Sequence, residues 1–450
     1  MSSNQQRKFG LKRFFGILAV LAILAAGLYV AGIYVKQLNL NLPGQKQSAK
    51  SVKLPAGCAS IAAGLDWSGK PASFNGPVAR TPPMGFSSYP LFDTAISQQQ
   101  IISIANKMAS NGMEVAGYRY IYIDDGWQGR RVNGVLTANH QRFPCGIKLV
   151  ADYLHSKGFK LGLYTTPGKT SCGGNIGSYG HTDTDVATFA SWGVDAIKLD
   201  WCNANYAQAE IITEQWHNAI VKSGRAMVLS INAGGNPVTG TWAQYYANEW
   251  RTSDDICPSW FNKTQPHAAG AVQCYGQKYQ SGVFDYLTSS DTQANALNVG
   301  PGHWADPDAL EAGNTGLSSI EAQTQFSIWC MWSAPLIIGG DPRNMPTADL
   351  QTLVNPYAIA IDQDALGVMA HLAVSSPDWQ VWIKPLTNQR VAVAVVNLGD
   401  SPDSYKLNWP SLGLSPDTVY DIWSGTNPNY TPKNLTISLS AHATALLLVY

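Results

Sequence analysis

Apolar and polar positions alternate in two rhythms along this 450-residue chain. Between about residues 80 and 345, short apolar runs break off into polar or glycine-rich loops at 84–89, 118–124, 160–165, 196–200, 226–231, 245–250, 296–299 and 335–338. Between several of them, apolar residues return every three to four positions, as at 98–111, 147–157 and 207–222. The runs read as buried strands and the intervening stretches as amphipathic helices. Eight such units predict an α/β fold, a (β/α)8 TIM barrel over 80–365, with strands five to eight less cleanly separated by helices than the first four. After about residue 365 the rhythm shortens to alternating stretches at 379–383, 391–396, 404–407, 418–422 and 443–450. Turn signals such as 398–402 separate them, which predicts a small C-terminal antiparallel β-sandwich domain over 366–450.

The N-terminal pattern is different again. Arg7, Lys8, Lys12 and Arg13 precede an uncharged run over 14–35, which as a helix reaches roughly 30 Å, enough to cross a bilayer. The basic flank stays on the cytoplasmic side. Residues 1–35 are therefore expected to form a cytoplasmic tail with a transmembrane anchor. The alternative is a signal segment, because Ala25-Ala26-Gly27 and Ala31-Gly32 offer small residues for cleavage. Residues 36–79, rich in Gln, Lys, Asn and Ser at their start, read as a tether and lead-in. Either way the bulk of the chain is extracytoplasmic, membrane-anchored or secreted.

Composition narrows the function classes. Thirty basic and thirty acidic residues cancel, so no nucleic-acid surface is expected. Fifteen Trp and twenty Tyr lean towards carbohydrate, whose apolar ring faces stack on aromatics. Seven cysteines in an exported chain permit disulfides and leave at least one unpaired. Cys330 lies in an apolar stretch and reads as a buried thiol, while Cys257 and Cys274 are close enough to close a local loop. The pairing of Cys58 and Cys145 is open. No short-spaced His/Cys set suggests a metal, and no cofactor is expected.

The chemistry collects in carboxylates at strand ends. Asp200 stands where the run 196–199 opens into its loop, with Lys198 two residues before it on the same strand face. A second run ends in Asp124-Asp125-Gly-Trp127, a third in Arg251-Thr-Ser-Asp-Asp255, and a fourth in Asp306-Pro-Asp308. Singly, each is equally a helix cap, a turn residue or a surface ion pair. In a parallel barrel the carboxyl ends of all strands share one face, so together they would converge. Converging carboxylates either hydrolyse a glycosidic bond or hold a divalent cation. The interleaved Lys198, Arg251, Trp and Tyr favour a sugar.

These segments resemble glycoside hydrolase family 27, the melibiase-type α-galactosidases. The resemblance is carried, in order, by Arg80-Thr-Pro-Pro-Met-Gly85, Ile123-Asp-Asp-Gly-Trp127, Lys160-Leu-Gly-Leu-Tyr164, Trp192-Gly-Val-Asp-Ala-Ile-Lys-Leu-Asp200, Trp250-Arg251 with Asp255-Ile256, and Asp306-Pro-Asp308. It continues through Ala334-Pro-Leu-Ile-Ile-Gly339 and Ile361-Asp-Gln-Asp-Ala-Leu-Gly367. It implies a retaining, exo-acting hydrolase of oligosaccharide or polysaccharide α-galactosides. Asp200 matches the nucleophile and Asp255, four residues after Arg251, the acid/base; the adjacent Asp254 does not keep that spacing. By the same likeness Asp124, Asp125 and Lys198 bind the O3, O4 and O6 edge of the sugar. Arg251 lies near O2, Tyr164 and Asp308 line the pocket, and Cys172 pairs with Cys202.

Two departures bear on the substrate. Tyr89 stands where the family usually has a Trp platform. Asn232, in Ser230-Ile-Asn-Ala-Gly-Gly235, stands for a Glu that reads the 2-hydroxyl. Ala309 also takes a place often held by Met. An α-N-acetylgalactosaminide, an isomalto-dextranase-type α-glucan cleavage, or a non-catalytic surface carbohydrate-binding protein are the competing expectations. The intact Asp124-Asp125 pair favours the axial 4-hydroxyl of galactose.

Overall fold

The structure, a computed structural model, describes Cys58 and residues 78–233, 238–261, 280–289, 298–428, 431 and 433–450. The expected anchor or signal segment and nearly all of the tether lie outside these residues. Among the described residues no helix is long and apolar enough to cross a membrane.

Eight parallel strands form one sheet: β1 (Met84–Ser87), β2 (Tyr120–Ile123), β3 (Lys160–Thr165), β4 (Ala196–Asp200), β5 (Val228–Asn232), β6 (Glu249–Arg251), β7 (Trp304–Asp306) and β8 (Leu336–Ile338). Strands β1 to β7 pair in sequence order and β8 pairs with β1. The ring closes just beyond β7, where the Leu310 amide donates to Ile337 O at 2.7 Å and its carbonyl accepts from Gly339 at 2.8 Å. This is the expected (β/α)8 barrel.

Two strands sit elsewhere than their apolar runs predicted. The seventh is Trp304–Asp306 and not 296–299. Trp304 points inward, is fully buried and donates its indole N–H to Ala79 O at 2.7 Å; that single ring fills barrel space that longer apolar runs fill elsewhere. Tyr245 and Tyr246 end a helix, Thr239–Tyr246, so the sixth strand begins only at Glu249.

Outer helices follow the predicted pattern. Helix α1 (Gln98–Ser110) starts at Ser97, whose hydroxyl accepts from the Gln100 amide, and buries Ile101, Ile104, Ala105 and Met108 as one apolar stripe. Helices α2 (Gly146–Ser156), α3 (Thr182–Trp192) and α4 (Ala209–Ser223) continue the ring. Inside it, Tyr120, Tyr122, Ala196, Val228 and Trp304 form the barrel's own core. Gly162 is part of that fit: a Cβ there would lie 2.2 Å from the Tyr122 ring.

The C-terminal segment holds β9 (His371–Ser375), β10 (Trp379–Pro385), β11 (Val391–Asn397), β12 (Asp403–Asn408), β13 (Val419–Asp421), β14 (Asn434–Leu439) and β15 (Thr444–Val449). A five-stranded antiparallel sheet in the order β9-β10-β11-β15-β13 faces the pair β12-β14. One face of the large sheet, with Val381, Val393, Val395 and Leu447, packs against Leu407, Leu435 and Ile437. The other face, with Trp382, Ala394 and Leu446, joins the core that runs into the barrel. Burial on both faces explains why β11 and β15 are almost wholly apolar.

Helix α5 (Ser319–Trp332), entered through a Ser318–Glu321 capping box, is buried on nearly all sides between barrel and sheet. Its carboxyl end is held by Lys384, which donates to Cys330 O, Ser333 Oγ and Ile361 O at 2.7–2.8 Å.

Cys58 pairs with Cys145 and Cys172 with Cys202, and Cys330 is a buried free thiol. Cys257 is also disulfide-bonded; the expected partner, Cys274, lies outside the described residues.

Candidate active site

Period-two alternation decides which strand residues face the barrel interior, and parallel pairing aligns them. Tyr164 pairs with Lys198, Lys198 with Ser230, Asp200 with Asn232, and Arg251 with Asp306. These side chains end at the carboxyl face, around a cavity of about 630 Å³. Nine of the ten residues singled out as catalytic or sugar-binding line it: Tyr89, Asp124, Tyr164, Lys198, Asp200, Asn232, Arg251, Asp255 and Asp308. Cys172 and Cys202 line it as well.

Asp125 is the exception. It is buried away from the lining, with Oδ1 accepting from Gly126 N at 2.9 Å and Asn175 Nδ2 at 3.1 Å, and Oδ2 from Gly173 N at 2.8 Å. It ties the β2 turn to the loop that carries Cys172. Asp124, one residue earlier, turns the other way, and Lys198 Nζ donates to its Oδ2 at 2.8 Å.

Asp200 is held from two directions. Its Oδ2 accepts from the Tyr164 hydroxyl at 3.2 Å and its Oδ1 from the Trp201 amide at 3.0 Å. Burial pushes its pKa up to about 6, with Asp255 and Asp124 adding to the rise and Lys198 and Arg251 opposing it. Burial also works against the Lys198 ammonium, but Asp124 and Asp200 outweigh it and drive its pKa upwards.

Across the cavity, one guanidinium nitrogen of Arg251 reaches Asp308 Oδ2 at 2.8 Å and Asp255 Oδ1 at 3.1 Å. The same nitrogen donates to Asp254 O at 2.9 Å, so Asp254 meets the Arg through its backbone and Asp255 through its carboxylate. Asp308 also accepts from the Ile256 amide at 2.9 Å, fixing the strand segment that bears Asp255. Asp308 keeps a left-handed φ of 77°, a conformation that costs of order 1–3 kcal/mol and persists where surrounding bonds hold it.

Cys172, Asp200 and Cys202 bring possible metal-ligand atoms within 4.8 Å of one another. Both sulfurs are in one disulfide, so neither is a thiolate and the set offers a single carboxylate ligand.

The chain's likeness to known proteins follows the same outline. A family model described as Alpha galactosidase A matches residues 90–364, and one described as Alpha galactosidase C-terminal beta sandwich domain matches 376–449. Alpha-galactosidase A of Cellvibrio japonicus is 36% identical over 385 residues, which cover 82% of this chain and 92% of that protein. This chain belongs to the melibiase-type α-galactosidases, glycoside hydrolase family 27.

Two solved α-galactosidases share its fold. That of Mortierella vinacea, alpha-galactosidase I, superposes with a TM-score of 0.76 at 29% identity, covering 83% of this chain and 98% of that one. That of Saccharomyces cerevisiae, solved with raffinose, gives 0.74 at 25%, covering 83% and 98%.

In this α-galactosidase cavity, several lining residues were not legible as site residues from the strand-end motifs. Tyr206 stands at the rim, more than half exposed. Ser230, Glu249 and Tyr122 form the floor beside Asp306, which the Asp306-Pro-Asp308 motif had already named. Each of these three is an even step from a named residue at or just past the same strand end: Ser230 from Asn232, Glu249 from Arg251 and Tyr122 from Asp124. That periodicity was available in the sequence once the strand register was known.

Proposed function

We propose that the chain is a retaining, exo-acting α-galactosidase that releases terminal α-D-galactose by double displacement. Asp200 attacks the anomeric carbon while Asp255 protonates the departing glycosidic oxygen, giving a glycosyl-enzyme ester and a free aglycone alcohol. Asp255, now a carboxylate, then takes a proton from water as that water attacks the same carbon and frees Asp200. The observation that carries this reading is the convergence of Asp200 and Asp255 on one cavity, each bonded to a separate positioning group, Tyr164 and Arg251.

The sugar-binding roles are those the family resemblance implies, and the side chains that converge on the cavity can fill them. The Asp124–Lys198 pair offers an acceptor and a donor to vicinal hydroxyls, one of them the axial 4-hydroxyl that marks galactose. Asn232 and Arg251 flank the C2 edge, Tyr89 offers a ring face, and Asp125 acts at one remove by holding the Cys172 loop. The yeast relative solved with raffinose makes α-galactosyl oligosaccharides the natural substrate class. Residues 80–365 would carry the catalysis and 366–450 the β domain packed behind it. The disulfides support an oxidising, extracytoplasmic setting, reached through residues 14–35 as anchor or signal.

The test is the initial rate on p-nitrophenyl α-galactoside, α-N-acetylgalactosaminide, α-glucoside and β-L-arabinopyranoside, with Asp200→Ala and Asp255→Ala alongside. Preference for the α-galactoside, abolished in Asp200→Ala, supports the reading. In Asp255→Ala, azide should restore turnover as α-galactosyl azide, as expected when azide takes the place of water in a second step that lacks its base. Preference for the acetylated sugar or the glucoside would keep the mechanism and overturn the substrate.

A further inference from the structure

Beneath the residues assigned to the sugar, the cavity continues into a polar recess that the proposed mechanism leaves unused. Glu249 is 2% exposed and yet lines the cavity. It accepts a hydrogen bond from Ser230, while its Oε1 has no hydrogen-bond partner. Tyr122 lines the same floor, is 4% exposed, and its hydroxyl is likewise unpartnered. Such buried, unsatisfied groups are costly, and two of them on residues that line one cavity point to a ligand group that completes them.

The chemistry of that group follows from the neighbours. Burial, reinforced by the nearby charge of Asp306, pushes the Glu249 pKa up to about 8. Near neutral pH its carboxyl is therefore mostly protonated, with one O–H to give and a carbonyl to receive. Tyr122 offers the same pair of functions. A cation finds little purchase beside a neutral acid, with Arg251 two residues along the same strand face and Lys198 on the facing wall. A hydroxyl, itself both donor and acceptor, matches.

Register says which hydroxyl. Glu249 pairs with Ser230, and both lie one inward step below Arg251 and Asn232 on β6 and β5. That places Glu249 under the wall assigned to the C2 edge of the sugar. We infer that Glu249 is a specificity-determining residue that hydrogen-bonds the 2-hydroxyl of the bound galactosyl unit from below, with Tyr122 beside it. The inference rests on the α-galactosidase reading given above. It makes the floor, and not only Asn232 and Arg251, the part of the pocket that recognises position 2.

The full chain tests this through competitive inhibition of p-nitrophenyl α-galactoside hydrolysis by D-galactose and by 2-deoxy-D-galactose. Wild type should bind galactose at least about tenfold more tightly than the deoxy sugar, as a site built around a hydroxyl rejects the analogue lacking it. Glu249→Gln, which keeps a donor and an acceptor, should retain most of that ratio. Glu249→Leu should shrink it at least about fivefold, through weaker galactose binding with the deoxy sugar little changed. A ratio near one in wild type overturns the inference without any variant, so it stays decidable if Glu249→Leu does not fold. A ratio unchanged in a folded Glu249→Leu overturns it too and leaves water or packing as the tenant of the recess. Equal loss in Gln and Leu overturns the neutral-donor assignment. Absence of α-galactoside hydrolysis in wild type would instead sink the parent reading, a separate and visible outcome.

Discussion

Replacing Lys198 by Met should move the acid limb of the pH–rate profile upwards. As the proposed nucleophile Asp200 would attack only as the carboxylate, and its pKa of about 6 would then set where activity falls as pH drops. Of the two cations that favour its ionised form, Lys198 has the larger influence. Two residues apart on one strand face, the two side chains start about 6–7 Å from each other. At an effective dielectric of about 20, charges at that separation interact by about 2.5 kcal/mol, close to two pH units. Lys198 also neutralises Asp124 across 2.8 Å, and freeing that negative charge raises Asp200 further. Water entering beside the Met side chain screens part of both effects, which leaves a shift of about one to two units. The acid limb of kcat/KM on p-nitrophenyl α-galactoside should therefore move from near 6 to about 7–8. The variant should be slower at every pH because Lys198 is also proposed to bind the sugar, but the midpoint does not depend on amplitude. A midpoint that stays in place, or moves down, refutes both the identity of the titrating group and the role given to the Lys198 charge.

Other perturbations have outcomes fixed by the same structure. Asp200 has a higher pKa folded, about 6, than in an unfolded chain, about 3.9. Its contribution to stability is therefore present below about pH 4 and lost as pH rises through about 6. Asp200→Asn removes a cost of up to about 3 kcal/mol at pH 7 and should raise Tm there by about 2–5 °C, with no gain at pH 4; a uniform shift across pH would contradict this origin. Gly162→Ala forces a methyl to 2.2 Å from the Tyr122 ring inside the barrel and should destabilise the fold by about 2–3 kcal/mol in denaturant titrations. His442, whose ring stacks on Trp260 at 4.3 Å and bonds Glu321 at 2.8 Å and Asp400 at 3.1 Å, has its pKa raised because those carboxylates outweigh burial. Its charge stabilises the fold below about pH 6.5 and that gain fades as pH rises through the higher folded value. His442→Ala should thus lower Tm more at pH 5.5 than at pH 9; equal losses would leave only the ring stacking.

The barrel was legible because most of its strands are buried on both faces and announce themselves as apolar runs; β3 and β4 fall where their runs predicted. It was least legible where one large side chain replaces a run. Trp304–Asp306 is three residues long, and its inward Trp supplies the packing that the pattern sought at 296–299. In the sandwich, β14 does alternate, through Leu435, Ile437 and Leu439 with Thr436 and Ser438 between them, yet it was not among the predicted stretches. β9 carries Leu372, Ala373 and Val374 but leaves its side chains exposed or half-buried throughout, and it was not among the predicted stretches.

At the site, residue type was legible and direction was not. Asp124 and Asp125 look equivalent in a turn, yet one pairs with Lys198 in the cavity and the other spends both oxygens on the Cys172 loop. Glu249 is the converse: a lone acid beside Trp250, inward only because β6 pairs with Ser230 of β5. Direction in turn sets the proton chemistry, since in this cavity acids outnumber the two cations and burial raises the buried carboxyls. Asp200 rises only to about 6, with Lys198 and Arg251 opposing the shift, whereas Glu249, with no cation credited against its burial, rises to about 8. The two carboxyls therefore differ in proton affinity through the placement of two cations against otherwise similar groups, which leaves the proposed nucleophile the more readily ionised of the pair.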